Sequence, residues 1–305
     1  MIKAPLQLLS AWSTFFWYPT LGGSRLKTIF FFCLFTSLGL LFASGGVLQP
    51  IIVLKAVGVM FSAAVFVYSL NDSVDADLDK SSSIKSKRPI PSGMMTKRQG
   101  LLLSVVGALI SLSLSITINF LTITFVIVFM VLGFLYSVPP IRLKRRFLMK
   151  ESVLITGMII STLIGSATME KIPSSLFLPV LYFVLMGSTF IPAFIDAVDV
   201  EQDRKEGCKT IAMILDQKTR LELATLSVFI TMITITLSYG YFNLNIICPI
   251  VTVFSSLLFL RYLFPLLLKP EESYSEEIIF KAANINRIFG FIIILGLMFG
   301  SLALY

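Results

Sequence analysis

The sequence predicts an all-α, polytopic membrane protein with nine transmembrane helices. Of its 305 residues, 56% are hydrophobic and only 14% are charged, and the mean hydropathy is +0.90. Nine apolar runs are each long enough, or nearly so, to cross the ~30 Å hydrocarbon core of a bilayer. Because a backbone inside lipid must satisfy its own hydrogen bonds, such runs are expected to be helical.

The predicted helices follow the apolar runs in chain order. The runs lie near residues 27–47, 50–70, 100–117, 118–136, 151–168, 173–195, 221–240, 243–265 and 285–304. The stretch 100–136 is too long for one crossing, so a very short turn is predicted near Thr117–Asn119, and Pro249 falls inside the eighth run. An aromatic segment before the first run is typical of an interfacial anchor, and it contains Trp12, Phe15, Phe16, Trp17 and Tyr18.

The basic residues predict the orientation of the chain. With nine crossings, every Lys and Arg except Lys55 and Lys171 falls on one side of the membrane. The positive-inside rule therefore places the N-terminus and three loops, about 72–99, 137–150 and 196–220, on the cytoplasmic side of the cell membrane. Residues 1–305 are expected to form a single membrane-embedded domain. The net charge of +8 then reflects orientation and anion binding, and no loop is long enough for a nucleic-acid-binding fold.

Cysteine and histidine chemistry contribute little to the prediction. The three cysteines, Cys33, Cys208 and Cys248, have neither disulfide-framework nor metal-ligand spacing. Since the chain has no histidine, a proton acceptor must be a carboxylate, a tyrosine, a lysine, water or a leaving group.

Two acidic motifs repeat one spacing, D-x-x-D-x-x-x-D, after the second and sixth apolar runs. The first motif contains Asp72, Asp75 and Asp79, and the second contains Asp196, Asp199 and Asp203, each 124 residues further on. At about 100° per residue, the three carboxylates of each motif fall within roughly 60° of one helix face. Asp77 and Glu201 point the other way and are expected to be solvated.

Carboxylates this close to a membrane are costly without a compensating cation. Oxygen ligands of this kind suit Mg²⁺, which usually binds through one or two carboxylates together with substrate phosphates. The six aspartates therefore predict a shared metal site that handles a diphosphate substrate at the membrane.

Basic residues close to the acidic motifs predict further anion ligands. Arg88 lies in a stiff turn with Pro89 and Pro91, close after the first motif. Four cations fall within residues 142–146, and such a run could be a patch for lipid headgroups. Within it, Arg142 and Lys144 are two residues apart, so they would face one way in an extended loop. The other nearby cations are assigned to surface charge, and they are Lys80, Lys97, Arg98, Arg145 and Arg146.

These segments together resemble the UbiA superfamily of intramembrane prenyltransferases. The matching residues are Asn71-Asp72-x-x-Asp75-x-x-x-Asp79, Arg88-Pro89-Ile90-Pro91-Ser92-Gly93, Tyr136-Ser137 with Pro140 and Lys144, and Asp196-x-x-Asp199-x-x-x-Asp203-Arg204-x-x-Gly207. The resemblance covers about residues 70–210 by motif and the whole chain by number of crossings. The linker 81–87 is two residues longer than in many members.

The resemblance implies nine helices in two pseudo-repeated four-helix halves plus one, around a central cavity. It implies an enzyme that transfers a polyprenyl group from its diphosphate to a lipophilic or aromatic acceptor in the bilayer. The catalytic residues would be Asp75, Asp79, Asp199 and Asp203, which hold two Mg²⁺ ions with Asp72 and Asp196 alongside. The diphosphate ligands would be Asn71, Arg88, Tyr136, Lys144 and Arg25.

The acceptor and two other functions stay open at this point. The second motif looks closest to the menaquinone-type and archaeal ether-lipid branches, so the acceptor is an aromatic quinone precursor or, alternatively, a glyceryl phosphate lipid. A transporter could also carry repeated acidic motifs, but these carboxylates lie at helix ends rather than at mid-span. An isoprenoid diphosphatase would use the same aspartates with water as the acceptor.

Overall fold

The computed structural model is almost entirely helical. It describes residues 3–17, 19–20, 23–81, 85–197, 200, 204, 207, 209–269 and 276–302. Over these residues the helices are α1 Lys3–Trp17, α2 Arg25–Ser44, α3 Pro50–Asp79, α4 Lys97–Ile116, α5 Phe120–Ser137, α6 Met149–Ala167, α7 Phe177–Leu185, α8 Gln217–Ser238, α9 Ile247–Leu268 and α10 Glu276–Gly300. Two-residue strands β1 (Pro19–Thr20) and β2 (Gly23–Ser24) pair antiparallel between α1 and α2.

The described residues contain nine helical segments long and apolar enough to cross a membrane, which confirms the predicted fold class. The sixth segment, Ser174–Ile195, combines a 3-10 turn, α7 and a π-helical stretch, Met186–Ile195. The first acidic motif lies within α3, because that helix continues without a break to Asp79.

The chain forms two compact units. Unit 1 contains residues 1–40, 49–143 and 160–171, and it holds most of α2, all of α3 to α5 and the end of α6. Unit 2 contains residues 41–48, 144–159 and 172–305, and it holds the start of α6 and all of α7 to α10. The first acidic motif belongs to unit 1, and Asp196 belongs to unit 2.

A stripe of small residues on α4 packs against α3 and brings the two backbones close together. Gly100, Ser104, Gly107 and Ser111 recur every three or four residues and are buried. The Ser104 hydroxyl donates to the Phe66 carbonyl at 3.1 Å, and Ser111 donates to an earlier α3 carbonyl at 2.9 Å. Close approach of small residues with hydroxyl-to-carbonyl bonds is how helices associate where lipid removes the hydrophobic driving force.

The α2–α6 contact in unit 1 is closer still, and it depends on two glycines. A Cβ atom at Gly39 would lie 1.9 Å from the Thr162 carbonyl oxygen, and one at Gly165 would lie 1.8 Å from the Thr36 carbonyl oxygen. The Thr36 hydroxyl also donates to the Ser161 carbonyl at 2.7 Å. Both glycines are therefore required by backbone proximity.

Gly165→Ala is expected to destabilise the protein by about 1–3 kcal/mol or more, because the added methyl group meets backbone that cannot move aside alone. The thermal midpoint of the detergent-solubilised protein measures this effect. Gly240→Ala is the matched control, since a Cβ atom there meets nothing within 4 Å. Equal midpoints for the two variants would show that α2 and α6 do not pack this closely.

The turn that the sequence predicts between the third and fourth runs is confirmed, and the structure refines the expectations for Pro249 and Phe15. The turn at Thr117–Asn119 is present, where Asn119 caps α5 by accepting from the Thr122 N–H at 2.8 Å. Pro249 is the third residue of α9 and lies in its first turn, where a backbone N–H would have no acceptor within the helix. Phe15 is buried, so the prediction that it faces the membrane interface is wrong, whereas Trp17 is exposed. Tyr18 lies outside the described residues.

Candidate active site

The first acidic motif forms a row of buried carboxylates along the last two turns of α3. Asp72, Asp75 and Asp79 are 3%, 5% and 4% exposed, as the predicted shared helix face requires. Asp77 is on the opposite face, is 67% exposed and pairs with Lys80 and Lys97, as predicted for a solvated residue. Burial of three carboxylates is expensive unless each is paired, so their partners define the site.

Three arginines from three separate segments pair with these carboxylates. Arg25, the first residue of α2, makes a two-point contact with Asp72, in which its Nε donates to Oδ2 at 2.9 Å. Arg88 Nη1 lies 2.8 Å from Asp79 Oδ2 and 3.3 Å from Asp72 Oδ1. Arg142 Nη2 donates to Asp75 Oδ1 at 2.6 Å. Three carboxylates and three guanidinium groups therefore meet on one face of α3.

A compact turn holds Arg88 at this face. The Arg88 carbonyl accepts from the Ser92 N–H at 3.0 Å, and the Pro89 carbonyl accepts from the Met95 N–H at 2.9 Å. Ile90 and Met95 are buried, which fixes the turn to unit 1. The predicted stiff turn is therefore present, and its role is to place a guanidinium between two carboxylates of α3.

The end of α5 supplies the polar neighbours of Asp75. Asn71 donates from one Nδ2 to Asp75 Oδ2 at 2.9 Å and to the buried Ser137 hydroxyl at 3.0 Å. Tyr136 is in the same last turn of α5 and is partly buried. These contacts tie the first motif to α5 and orient the Asp75 carboxylate.

Sequence reasoning missed Arg142 as a site residue and treated it as part of a loop charge run. The sequence feature that could have identified Arg142 is its position two residues before Lys144. A loop has no helical period, however, so spacing alone does not select one of the four cations there. Arg142 has a positive φ of 40°, so the loop is bent there rather than extended. Lys144 lies in the 3-10 turn Leu143–Arg145, is buried, and belongs to unit 2.

The second acidic motif begins in unit 2 at the end of the π-helical stretch. Asp196 is buried, and its Oδ1 lies 2.9 Å from Lys150 Nζ, near the start of α6. Asp199 and Asp203 lie outside the described residues, so their predicted role as ligands stays a prediction. Lys150 is a second residue that sequence reasoning missed, since it was counted only among the orientation charges.

Side chains of α8 donate hydrogen bonds to backbone carbonyls of the π-helical stretch that precedes Asp196. Pro192 lies inside the π-helical stretch, and Arg220 Nη1 donates to its carbonyl at 2.7 Å. Gln217 Nε2 donates to the Ala193 carbonyl at 3.2 Å. A π-helical segment with its freed carbonyls paired in this way often marks a functional site, because it re-aims the residues that follow.

The donor set of the first motif suits a hard divalent cation. It offers carboxylate and amide oxygens and, over the described residues, no thiolate or imidazole, which is the ligand chemistry that Mg²⁺ prefers. Within the described part of the chain, no three Asp, Glu, Cys or His side chains lie close enough together to hold a metal. Asp75 and Asp79 are each paired with an arginine, and the first motif alone does not bring three ligands together. A metal ion bound at these carboxylates would therefore need further ligands from outside the first motif.

In the part of the chain that the structure describes, nine apolar helical segments and a buried ionic cluster at the end of one of them define an integral membrane protein with a polar site at a helix end. The sequence profile of the UbiA prenyltransferase family matches residues 31–285. The chain therefore belongs to the UbiA prenyltransferase family and is a membrane-embedded prenyltransferase.

Two relatives with different acceptors illustrate the range of the family. A 4-hydroxybenzoate octaprenyltransferase of Psychromonas ingrahamii is 28% identical over 254 residues, which are 80% of this chain and 83% of that protein. A digeranylgeranylglyceryl phosphate synthase of Korarchaeum cryptofilum is also 28% identical, over 151 residues that make up 49% of this chain and 51% of that protein.

Solved structures share the fold at low sequence identity. A digeranylgeranylglyceryl phosphate synthase aligns over 92% of this chain and 99% of its own, with a TM-score of 0.68 and 21% identity. A UbiA homologue from Archaeoglobus fulgidus, bound to GPP and Mg²⁺, aligns over 90% of this chain and 96% of its own, with a TM-score of 0.64 and 19% identity.

Proposed function

We propose that this protein transfers a polyprenyl group from its diphosphate to an aromatic, quinone-precursor acceptor within the membrane, in a reaction that depends on Mg²⁺. The observation that carries the proposal is the buried row of Asp72, Asp75 and Asp79, each paired with an arginine. Paired carboxylates and guanidinium groups on one face offer ligands both for a divalent cation and for a diphosphate.

The metal ligands in this proposal are Asp75 and Asp79 from the first motif and Asp199 and Asp203 from the second. Bound Mg²⁺, as two ions, would neutralise the charge that develops on the leaving diphosphate. Asn71 fixes the Asp75 carboxylate through its 2.9 Å hydrogen bond, so that a ligand oxygen is oriented in advance.

The arginines perform the anion-binding part of the proposed reaction. Arg25 and Arg88 present guanidinium groups that are already desolvated, so their hydrogen bonds to diphosphate oxygens would be strong. Arg142 adds a third such group, and Lys144 supplies a point charge from the following turn. These groups bind the negative charge of the substrate and hold its C1–O bond near the end of α3.

An aromatic cluster lies one helical turn below the first motif on α3. Tyr68 packs edge-on against Phe32, with ring centroids 6.1 Å apart, and Phe32 packs against Phe129 at 5.7 Å. When the C1–O bond breaks, its electron pair leaves with the diphosphate and an allylic cation remains. Aromatic faces stabilise such a cation, and apolar walls keep water from capturing it.

The acceptor carbon then forms a bond to C1, and the ring proton that it loses completes the substitution. Because the chain has no histidine, the group that takes this proton is a carboxylate, a tyrosine, a lysine, water or the leaving diphosphate. The aromatic acceptor is supported by the octaprenyltransferase relative, which matches across 83% of its own length, and a glyceryl phosphate is the alternative acceptor, because the glyceryl phosphate synthase is equally 28% identical over 51% of its own length.

A product assay tests this function directly. Purified protein in lipid vesicles is incubated with geranylgeranyl diphosphate, Mg²⁺ and, in parallel, hydroxybenzoates, naphthoates and glyceryl phosphates. The expected product is a prenylated aromatic acid with release of one diphosphate. Prenylation of the glyceryl phosphate alone would reassign the acceptor, free prenol would indicate a diphosphatase, and flux of substrate without chemistry would indicate a transporter.

The proposal includes the orientation of the protein, as one membrane-embedded domain in the cell membrane. The N-terminus and both acidic motifs would face the cytoplasm, because almost all of the Lys and Arg residues lie on that side. Single cysteines introduced at exposed Arg98 and at exposed Tyr241 test this orientation. A membrane-impermeant maleimide applied to whole cells is expected to label position 241 and to spare position 98.

Arg88→Ala is expected to weaken prenyl diphosphate binding by about 1.5–3 kcal/mol, the loss of a hydrogen bond to a charged group, or roughly 10- to 150-fold in Kd. Lys144→Ala is expected to act in the same direction. Titration with a non-hydrolysable prenyl diphosphate at fixed Mg²⁺ and salt measures the change. The matched control is Arg98→Ala, because Arg98 is exposed and lies ten residues further along the chain. Equal shifts in all variants would indicate a diffuse surface potential instead of specific ligands.

A further inference from the structure

The first helix, α1, packs against α3 and α4 within unit 1. Its Trp12 Nε1 donates to the Gln99 carbonyl of α4 at 3.2 Å. Phe16 stacks on Phe61 of α3, with ring centroids 5.9 Å apart and planes 16° from parallel. Phe15 is only 1% exposed. A helix that served as an interfacial anchor alone would turn these aromatic side chains toward lipid, so the contacts serve unit 1 itself.

The hydrogen bond from α1 reaches the turn that holds Arg88. Its acceptor residue, Gln99, also closes the capping box of α4, because the Gln99 side chain accepts from the Thr96 N–H at 2.8 Å. Thr96 directly follows Met95, whose N–H donates to the Pro89 carbonyl at 2.9 Å. A continuous set of hydrogen bonds and peptide links therefore joins α1 to the turn that begins at Arg88.

The other end of α1 leads to Arg25. The helix ends at Trp17, β1 and β2 then form a hairpin, and Arg25 follows the last residue of β2. The Arg25 guanidinium contacts Asp72 and lies 5.0 Å from the centre of the Tyr68 ring. Because the hairpin folds back on itself and spans little distance, the position of α1 limits where α2 can begin.

The two tryptophans of α1 have opposite environments. Trp12 is partly buried, and its N–H is paired with a backbone carbonyl of α4. Trp17 is in the same helix but is 70% exposed. An indole ring with its N–H bonded to protein fixes a helix in one position, whereas an exposed indole suits a membrane interface. The pair therefore separates a bracing role from an anchoring role within one helix.

We propose that α1 is a brace for the first acidic motif, in which Trp12 and Phe16 are positioning residues that hold Arg88 and Arg25 against the carboxylates. Trp12 acts through the start of α4 on the Arg88 turn, and Phe16 acts through the hairpin on Arg25. This inference rests on the proposed function only for the part that the two arginines play in diphosphate binding.

Hydrogen–deuterium exchange of the protein in lipid vesicles, without substrate, tests the brace itself. Trp12→Phe removes one N–H and keeps a ring, and it is expected to raise amide exchange at least about fivefold in peptides that cover 85–96. Phe16→Ala is expected to do the same in peptides that cover 23–28, and Phe16→Leu replaces it should the alanine variant fail to fold. The matched control is Trp17→Phe, because Trp17 is exposed, and it should leave both segments unchanged. Unchanged exchange in the Trp12 and Phe16 variants, or an equal rise in Trp17→Phe, would overturn the proposal.

Binding of a non-hydrolysable prenyl diphosphate at fixed Mg²⁺ tests the consequence for the site. Trp12→Phe is expected to raise Kd about 2- to 10-fold, the range for one hydrogen bond, while Trp17→Phe leaves Kd unchanged. In an Arg88→Ala background, Trp12→Phe should add nothing further, because a brace acts through the residue that it holds. Additive effects of the two substitutions would show that Trp12 does not act through Arg88, and the proposal would be wrong. If the unmodified protein binds no prenyl diphosphate, the proposed function fails, whereas the exchange result still decides whether α1 is a brace.

Discussion

Asp75→Asn is expected to lower the rate of prenyl transfer by about 10²–10³-fold while the protein stays folded. The change replaces a charged oxygen ligand with a neutral amide of nearly the same volume, and a preorganised group at a reacting site contributes about this much to the rate. Asp75 is buried, accepts from Asn71 and faces Arg142, so the loss falls on a group that its neighbours hold in place. Product formation at saturating Mg²⁺ and substrate measures it, and Asp199→Asn is expected to behave in the same way.

Asp77→Asn is the matched control, because Asp77 lies two residues along the same helix but is 67% exposed. Its activity should be within about twofold of the unmodified protein, since exposed ion pairs contribute little. A loss equal to that of Asp75→Asn would show that proximity to the motif matters rather than the buried face. Near-normal activity in both Asp75→Asn and Asp199→Asn would rule out the proposed two-metal site.

Removal of divalent cations is expected to abolish prenyl transfer, and added Mg²⁺ is expected to restore it. Mn²⁺ should also restore activity, because oxygen ligands of this kind accept both ions. The measurement is product formation in EDTA, followed by titration with excess Mg²⁺ or Mn²⁺. Turnover that persists unchanged in the chelator would contradict the proposed role of both acidic motifs.

The structure adds a second expectation for the same experiment. Asp72, Asp75 and Asp79 each have an arginine partner, so their charges are compensated without any metal. The metal-free protein should therefore stay folded in EDTA, and its thermal midpoint should fall by only a few degrees. Unfolding on chelation would mean that the loss of activity reports stability and not chemistry.

Part of the candidate site follows from the sequence because it depends on local geometry. The spacing of Asp72, Asp75 and Asp79 fixes one helix face through the 3.6-residue period, and the structure buries all three. The same rule correctly placed Asp77 in solvent. The stiff turn around Arg88 was also predictable, since prolines limit a loop in a way that composition reveals.

The pairing of the site residues was not predictable from the sequence. Arg142 joins Asp75 across 67 residues, and Lys150 joins Asp196 across 46. Several cations in the same basic loop were equally good candidates by spacing alone. Which cation is buried depends on how the helix ends pack, and no local signal carries that information.

The sequence by itself determined the nine crossings and the repeat of the acidic motif. Apolar length and helical periodicity are properties of short segments, and lipid permits few alternatives to a helix. The tertiary structure alone decided which glycines allow α2 and α6 to touch and which cation each aspartate pairs with. It also decided that Arg220 donates to the Pro192 carbonyl. These features arise from contacts between distant segments, where burial makes each unpaired group so costly that packing selects its partner.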